Sequence, residues 1–364
     1  MLAKRVAQLD ASGIRKVFDL AGKLTNPINL SIGQPHFAVP EEIQQRAIQA
    51  IKQGHSRYTI TQGIEELQGA IAQRLDRELG PAERHILITS GVSGGLLLAF
   101  LCLLDAGDEV IIPDPYFVMY KSLIEVVGAR AVLVNTYPDF GLHLEDIAQA
   151  ISGRTRAIVV NSPSNPTGLV HGREELQGLA ELAKQNDLVL IADEIYYEFC
   201  FDDPYVSVAP MYERTLLLRG FSKTYAMTGW RLGYATGPAE LIEKMTMLQQ
   251  YTFVCAPSMV QWAGITALQT DMSEQVAAYR RKRDLVYEGL SEVFEVRKPG
   301  GAFYIFPKAP GDKADELVRK AIEQKVLVIP GEVFSSRNSH FRISYAAEDE
   351  ILARGVETLC KLAG

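Results

Sequence analysis

Arg219-Gly220-Phe221-Ser222-Lys223-Thr224-Tyr225-Ala226-Met227-Thr228-Gly229-Trp230-Arg231-Leu232-Gly233 lies between two apolar runs, 214–219 and 232–236. Short continuous apolar runs of this kind predict strands buried on both faces. The segment between them is too tight for a crossover helix, so the second strand is expected to run antiparallel to the first. One lysine stands in it among small, hydroxylated and aromatic residues, with an arginine eight positions on. Desolvation disfavours an ammonium, so a lysine packed there loses its proton readily. Its neutral amine can then form a Schiff base with a carbonyl. Lys223 is a candidate nucleophile and Arg231 a candidate clamp for an anion beside it. The plain alternative is a surface lysine and a locally paired arginine, and the stretch alone does not decide.

Working outward, further apolar runs occur at 86–89, 109–113, 130–134, 156–160 and 188–192, most of them β-branched. Helical patterns lie between several of them, at 93–104, 117–127 and 173–185. The expectation is an α/β fold of three layers, with a mainly parallel seven-stranded sheet covered by helices on both faces. Before the sheet, 34–40 and 54–64 are irregular, and Pro40-Glu41-Glu42 opens a helix. Beyond 238 the period is helical, followed by predicted strands at 293–296, 303–306, 326–329 and 341–344, with helices at 312–323 and 348–361. That is a smaller α+β domain. The expected division is a large domain over 31–275, a small one over 276–364, and an N-terminal segment, 1–30, packed on the small domain.

The chain has 364 residues, 47% apolar and 22% charged, a folded composition. With 37 basic against 44 acidic residues the net charge is -7, which argues against a nucleic acid or an anionic membrane as partner. No hydrophobic signal core and no run of 18 apolar residues is present. The four cysteines lie far apart without metal-ligand spacing, which fits a reducing, cytoplasmic setting.

In sheets of this type ligands bind beyond the carboxyl ends of the strands. Thr89-Ser90-Gly91-Val92-Ser93-Gly94-Gly95 joins a strand to a helix, and the backbone N–H groups near Val92 and Ser93 can cradle a phosphate. It lacks the spacing of the nucleotide P-loop and of the dinucleotide fingerprint. Phe117, after Asp114-Pro115-Tyr116, can stack on a planar ring or fill the core. Asn161-Ser162-Pro163-Ser164-Asn165-Pro166-Thr167-Gly168 forms a constrained turn that can hold the Asn165 amide in place. Asp193 lies at the mouth of a buried strand, where a carboxylate needs a partner. A protonated ring nitrogen is one, and Tyr196 can give a hydroxyl to the same ring. A divalent metal would want more convergent acids or histidines than the sequence offers. Arg342 stands alone in an apolar strand, suited to a carboxylate clamp or a structural ion pair. One ligand uses every group: pyridoxal phosphate, whose ring needs a lysine Schiff base and an Asp partner.

These blocks, in this order, resemble the fold type I pyridoxal-phosphate aminotransferases of class I/II, the aspartate aminotransferase-like group. Ser222-Lys223 to Gly229, Arg231 and Gly233 resemble its lysine signature; 58–63, 161–168, 193–196 and 341–344 resemble its other blocks. The resemblance implies that Lys223 bonds the cofactor and then moves the proton at the substrate Cα. Asp193 is implied to keep the pyridine nitrogen protonated. Asn165 and Tyr196 bind the phenolic oxygen, and Phe117 stacks. Arg231, with the Val92 and Ser93 backbone, takes the phosphate. Tyr58 reaches the phosphate of a partner subunit, which implies a homodimer with shared sites. Arg342, Gly33 and Asn165 take the substrate α-carboxylate. Gly220 departs from the pattern, which often has a serine three residues before the lysine. A second anion clamp is not evident, although Arg15 is a candidate. The implied donor is a neutral or aromatic L-amino acid, used broadly, and the acceptor a 2-oxo acid such as 2-oxoglutarate. Aspartate aminotransferase and cysteine-conjugate β-lyase are the alternatives.

Overall fold

A computed structural model describes Gly13, Ile14, Val17, Gly22 and residues 24–364. Seven strands form the main sheet: β2 (His85–Thr89), β3 (Glu109–Asp114), β4 (Arg130–Asn135), β5 (Thr155–Asn161), β6 (Val189–Asp193), β7 (Thr215–Gly220) and β8 (Gly233–Gly237), after a short β1 (Ile28–Asn29). Their spatial order is β2-β8-β7-β6-β5-β3-β4. The neighbours from β7 to β4 pair in parallel, whereas β8 is antiparallel to both β2 and β7. All seven predicted runs are strands, and the tight 221–232 segment reverses the chain as its length requires.

Both faces of the sheet are buried, because neighbouring residues of one strand enter two different cores. Ala157, Val159, Ile191, Leu216 and Leu218 pack in one cluster with α1 (Gly91–Leu103), while Ile158, Val160, Leu190, Ala192 and Leu217 pack in the other with α2 (Arg173–Gln185). Strand alternation therefore makes these continuous apolar runs necessary.

The remaining strands form two small sheets. β9 (Tyr304–Ile305), β11 (Ile329–Pro330) and β12 (Phe341–Ser344) form one, in the order β11-β12-β9. β10 (Val326–Leu327) pairs in parallel with β1. The predicted strand 293–296 is absent. Its Phe294 is buried against Phe341, but Val293 is exposed and the Glu295 carbonyl takes a single backbone bond, from Lys308. A β-like alternation without a paired neighbour stays irregular.

On the face opposite the core that holds Leu216 and Leu218, Arg219 is fully buried. It donates to Glu194 at 2.9 Å and to Glu78, and its guanidinium lies 3.8 Å from the ring centre of Tyr197. Arg74 extends the network to Glu78, Glu198 and Tyr225. The network ties β7 to the residue that follows β6. Truncating one member leaves a buried charge unpaired. Arg219→Ala is expected to lower unfolding free energy by about 3–5 kcal/mol, read from urea titration. A loss under about 1 kcal/mol would contradict the assignment of this arginine as a structural cation.

Candidate active site

The carboxyl ends of β5, β6 and β7 lie in register with one another and with the amino end of the antiparallel β8, Asn161 beside Asp193, Asp193 beside Leu218, and Gly220 beside Gly233. Residues just beyond these ends are thus brought to one edge of the sheet. The order of the strands places Asp193, Lys223, Arg231 and the turn after β2 side by side.

Asp193 ends β6 and is 2% exposed. Its carboxylate accepts the Tyr120 hydroxyl at 2.7 Å and the Ile195 amide at 3.2 Å. Burial outweighs these bonds and the nearby Lys223 charge, and raises its pKa to about 6. Lys223 is partly accessible, and its Nζ donates to the Gly33 carbonyl at 2.6 Å. Desolvation, with the Arg342 and Arg231 charges, lowers its pKa to about 8 against the pull of Asp193. Nζ also faces the Tyr196 and Phe303 rings at 5.8 and 5.9 Å.

A candidate anion cradle brings together the start of α1 and Arg231. Helix α1 begins at Gly91 with no side chain capping its N-terminus, so its first N–H groups are free. Arg231, in a left-handed conformation (φ 57°), donates to the Ser93 hydroxyl at 2.7 Å and to the Ser90 carbonyl at 3.3 Å. Gly91 has φ 69°, and a Cβ there would lie 2.4 Å from Arg231 Nη2. Only glycine permits this approach. Val92 is buried beside the cradle. At Gly220 a Cβ would meet Ile195 Cδ1 at 3.0 Å and Val92 Cγ2 at 3.2 Å, so a serine hydroxyl has little room.

Arg342 of β12 is 1% exposed and donates to Asn165 Oδ1 at 2.9 Å and to the Ser31 carbonyl at 2.6 Å. Its Nε has no partner. Asn165 is itself set by Asn161, whose Oδ1 accepts the Asn165 N–H at 2.9 Å while its Nδ2 donates to the Asp193 carbonyl at 2.8 Å. Tyr196 is buried, with its hydroxyl 2.8 Å from that of Tyr304. Phe117 is half-buried and meets Tyr120 edge-on, with ring centres 5.7 Å apart. Tyr58 is 84% exposed and stands outside this constellation. Arg15 lies outside the described residues.

Sequence reading missed Tyr120, Asn161, Ser31 and Tyr304. Asn161 opens the constrained turn and could have been singled out. Tyr120 and Tyr304 carry no local signal, since their partners are 73 and 108 residues away.

A family model, aminotransferase class I and II, matches residues 25–359. The chain belongs to the class I and II aminotransferases. It is 38% identical to a probable aspartate aminotransferase of Methanocaldococcus jannaschii, over 98% of each chain. It is 36% identical to aromatic-amino-acid aminotransferase 2 of Thermococcus litoralis, over 99% of this chain and 98% of that one. In structure it matches the aspartate aminotransferase of Thermus thermophilus with maleate at TM-score 0.95 and 34% identity, covering 100% of this chain and 99% of the other.

Aminotransferases of this family depend on pyridoxal phosphate, and the residues present fit that group. Among the described residues the buried Asp193 carboxylate, with a pKa of about 6, is hydrogen-bonded by the neutral Tyr120 and Ile195 donors and forms no direct ion pair. A glycine-bordered cradle with an arginine awaits an anion, and a lysine of lowered basicity stands between them. Because Lys223 is neutral above about pH 8, pyridoxal phosphate should load onto the apo protein faster as pH rises through about 8, measured by growth of the yellow absorption band. Loading that accelerates only near 10.5, the ordinary lysine value, would mean that Nζ is solvated.

Proposed function

We propose that Lys223, Asp193 and Tyr196 carry the chemistry of this aminotransferase. The observation that carries the reading is the convergence at one sheet edge of Lys223, the buried Asp193 carboxylate, Arg231 on Ser93, and the buried Arg342 on Asn165. When bound, pyridoxal phosphate supplies an aldehyde for amino-group exchange and a ring that accepts the electron pair released at the substrate Cα. Arg231, Ser93 and the Val92 backbone would hold its phosphate. Asp193 would keep the proton on its ring nitrogen, Asn165 and Tyr196 would hydrogen-bond its phenolic oxygen, and Phe117 would pack against the ring. Arg342, with Gly33 and Asn165, takes the substrate α-carboxylate. Lys223 Nζ would take the proton from the substrate Cα and hold it for return, serving as base and then as acid in the exchange.

The preferred donor is a neutral or aromatic L-amino acid, used broadly, with 2-oxoglutarate as a suitable acceptor in ping-pong exchange. Among the described residues the cations whose charge reaches Lys223 are Arg342 and Arg231. One serves the α-carboxylate and the other the phosphate, which leaves neither for a side-chain carboxylate. Aspartate is the second reading, favoured by the names of several relatives, and Arg15 is then the residue to read its side chain. The working form is a homodimer: the exposure of Tyr58 suits a hydroxyl that reaches the phosphate in the partner's site. The setting is the cytoplasm, in keeping with four free cysteines. We assign residues 31–275 to a large domain and 276–364 to a small one, with 1–30 packed on the latter. The pairing of β1 with β10, and the bond from the Ser344 N–H to the Leu30 carbonyl, support this division.

Each amino acid, mixed singly with the loaded enzyme, tests the donor range by its conversion of the yellow form. Phenylalanine and leucine are expected to exceed aspartate in kcat/KM by about tenfold or more. The reverse order would establish the aspartate reading. Ammonia released from a cysteine conjugate, in place of amino transfer, would establish a lyase. Lys223→Ala should lower turnover by about 10⁴-fold, and near-normal transamination would remove its assigned role. Arg342→Ala should weaken α-carboxylate binding by about 10- to 100-fold, and unchanged affinity would remove the clamp.

A further inference from the structure

We propose that Tyr304 is a positioning residue for this reaction: its hydroxyl strengthens Tyr196 as a donor, and its ring holds the plane of Arg342. The inference rests on the assignment of Tyr196 to the cofactor's phenolic oxygen. Tyr304 opens β9 and is 1% exposed. Among the described residues its hydroxyl and that of Tyr196 hydrogen-bond only each other, at 2.8 Å, with ring planes at 86°. A phenol has one proton to give. If Tyr196 spends its proton on the cofactor oxygen, the bond between the two tyrosines must be donated by Tyr304. A hydroxyl that accepts a bond becomes a stronger donor in turn, more so where water is excluded.

The same side chain is pinned from two other directions. A Cβ on Gly33 would lie 2.3 Å from the Tyr304 hydroxyl, so the phenol is seated against the Gly33 backbone. The Gly33 carbonyl is the acceptor for Lys223 Nζ. On the other side, the Arg342 guanidinium lies 4.4 Å from the centre of the Tyr304 ring and 4.6 Å from that of Phe334. Two rings on a guanidinium fix its plane while leaving its N–H edge for carboxylates. β12 carries Arg342 and pairs with β9 through Ser344 and Tyr304, which sets the distance between them. Tyr304 thus joins the group that tunes the cofactor oxygen to the group that holds the substrate.

The hydroxyl and the ring make separable predictions. Donation into the phenolic oxygen withdraws its charge, so the nitrogen of Lys223, once bonded to the cofactor beside it, binds its proton less tightly. Weaker donation therefore raises the pH at which the absorption band changes. The experiment is a pH titration of that band in the loaded wild type, Tyr304→Phe, Tyr196→Phe and the double variant. Tyr304→Phe is expected to raise the midpoint by roughly 0.3 to 0.6 in pH, and Tyr196→Phe by more. The double variant should match Tyr196→Phe alone, because Tyr304 acts through Tyr196. Binding of 3-phenylpropanoate, followed by the same band, should stay within about twofold in Tyr304→Phe and weaken about five- to tenfold in Tyr304→Leu. An unchanged midpoint in Tyr304→Phe, or a shift that persists in full without Tyr196, overturns the inference. So does a Leu variant that binds the monocarboxylate like the wild type. A wild type with no cofactor band at all would overturn the underlying reading of the site, a different result from a wild type that titrates normally.

Discussion

The carboxylate of Asp193 is buried to 2% exposure, and two neutral donors, the Tyr120 hydroxyl and the Ile195 amide, hold it. Taking a carboxylate out of water costs several kcal/mol, and hydrogen bonds to a charged group return about 1.5–3 kcal/mol each. The balance shows in a pKa of about 6: the group is ionised at neutral pH, yet only just. Such a carboxylate is set to be completed by a cation that arrives with a ligand. Lys223 stabilises it only in part, because desolvation and the Arg342 and Arg231 charges lower the basicity of that lysine to a pKa of about 8. Burial thus draws the pKa values of the carboxylate and the lysine toward each other, to about 6 and about 8, so that both titrate near neutral pH.

The sheet makes this affordable by giving its two faces different work. Asp193 lies on the side of the core that holds Leu216, Leu218 and Tyr120, and Arg219 on the other. The ion network of Arg219, Glu194, Glu78 and Arg74 ties the ends of β6 and β7 from behind. Asp193 and Glu194 are adjacent in sequence, so alternation along the chain sends one carboxylate to the face of the candidate site and the next to the Arg219 network. The short loop from Gly220 to Gly233 then needs no helix to return Arg231 to the edge where Lys223 stands.

The sheet was legible because strands buried on both faces must be apolar throughout, and none of the seven runs had another use. The antiparallel β8 followed from loop length. Lys223, Asp193 and Asn165 were legible as polar residues at or just past the ends of apolar strands, and Arg342 as a lone arginine within one, where a group without a partner is costly. Tyr120, Tyr304 and Ser31 were not, since a tyrosine in an apolar run reads as core and a backbone carbonyl has no residue signature. Val293 to Val296 misled because strand-like alternation says nothing of whether a neighbour is present. Gly220 read as a lost hydroxyl, whereas the crowding by Ile195 and Val92 gives a steric reason for glycine there.

The most direct measurement is borohydride reduction of the protein loaded with pyridoxal phosphate, followed by peptide mass spectrometry. The reduced cofactor is expected on the peptide that contains Lys223, in one-to-one stoichiometry, and to vanish in Lys223→Ala. Stable label on any other lysine, or none on a protein that turns over amino acids, would contradict the assignment of Lys223 as the amine around which the site is built.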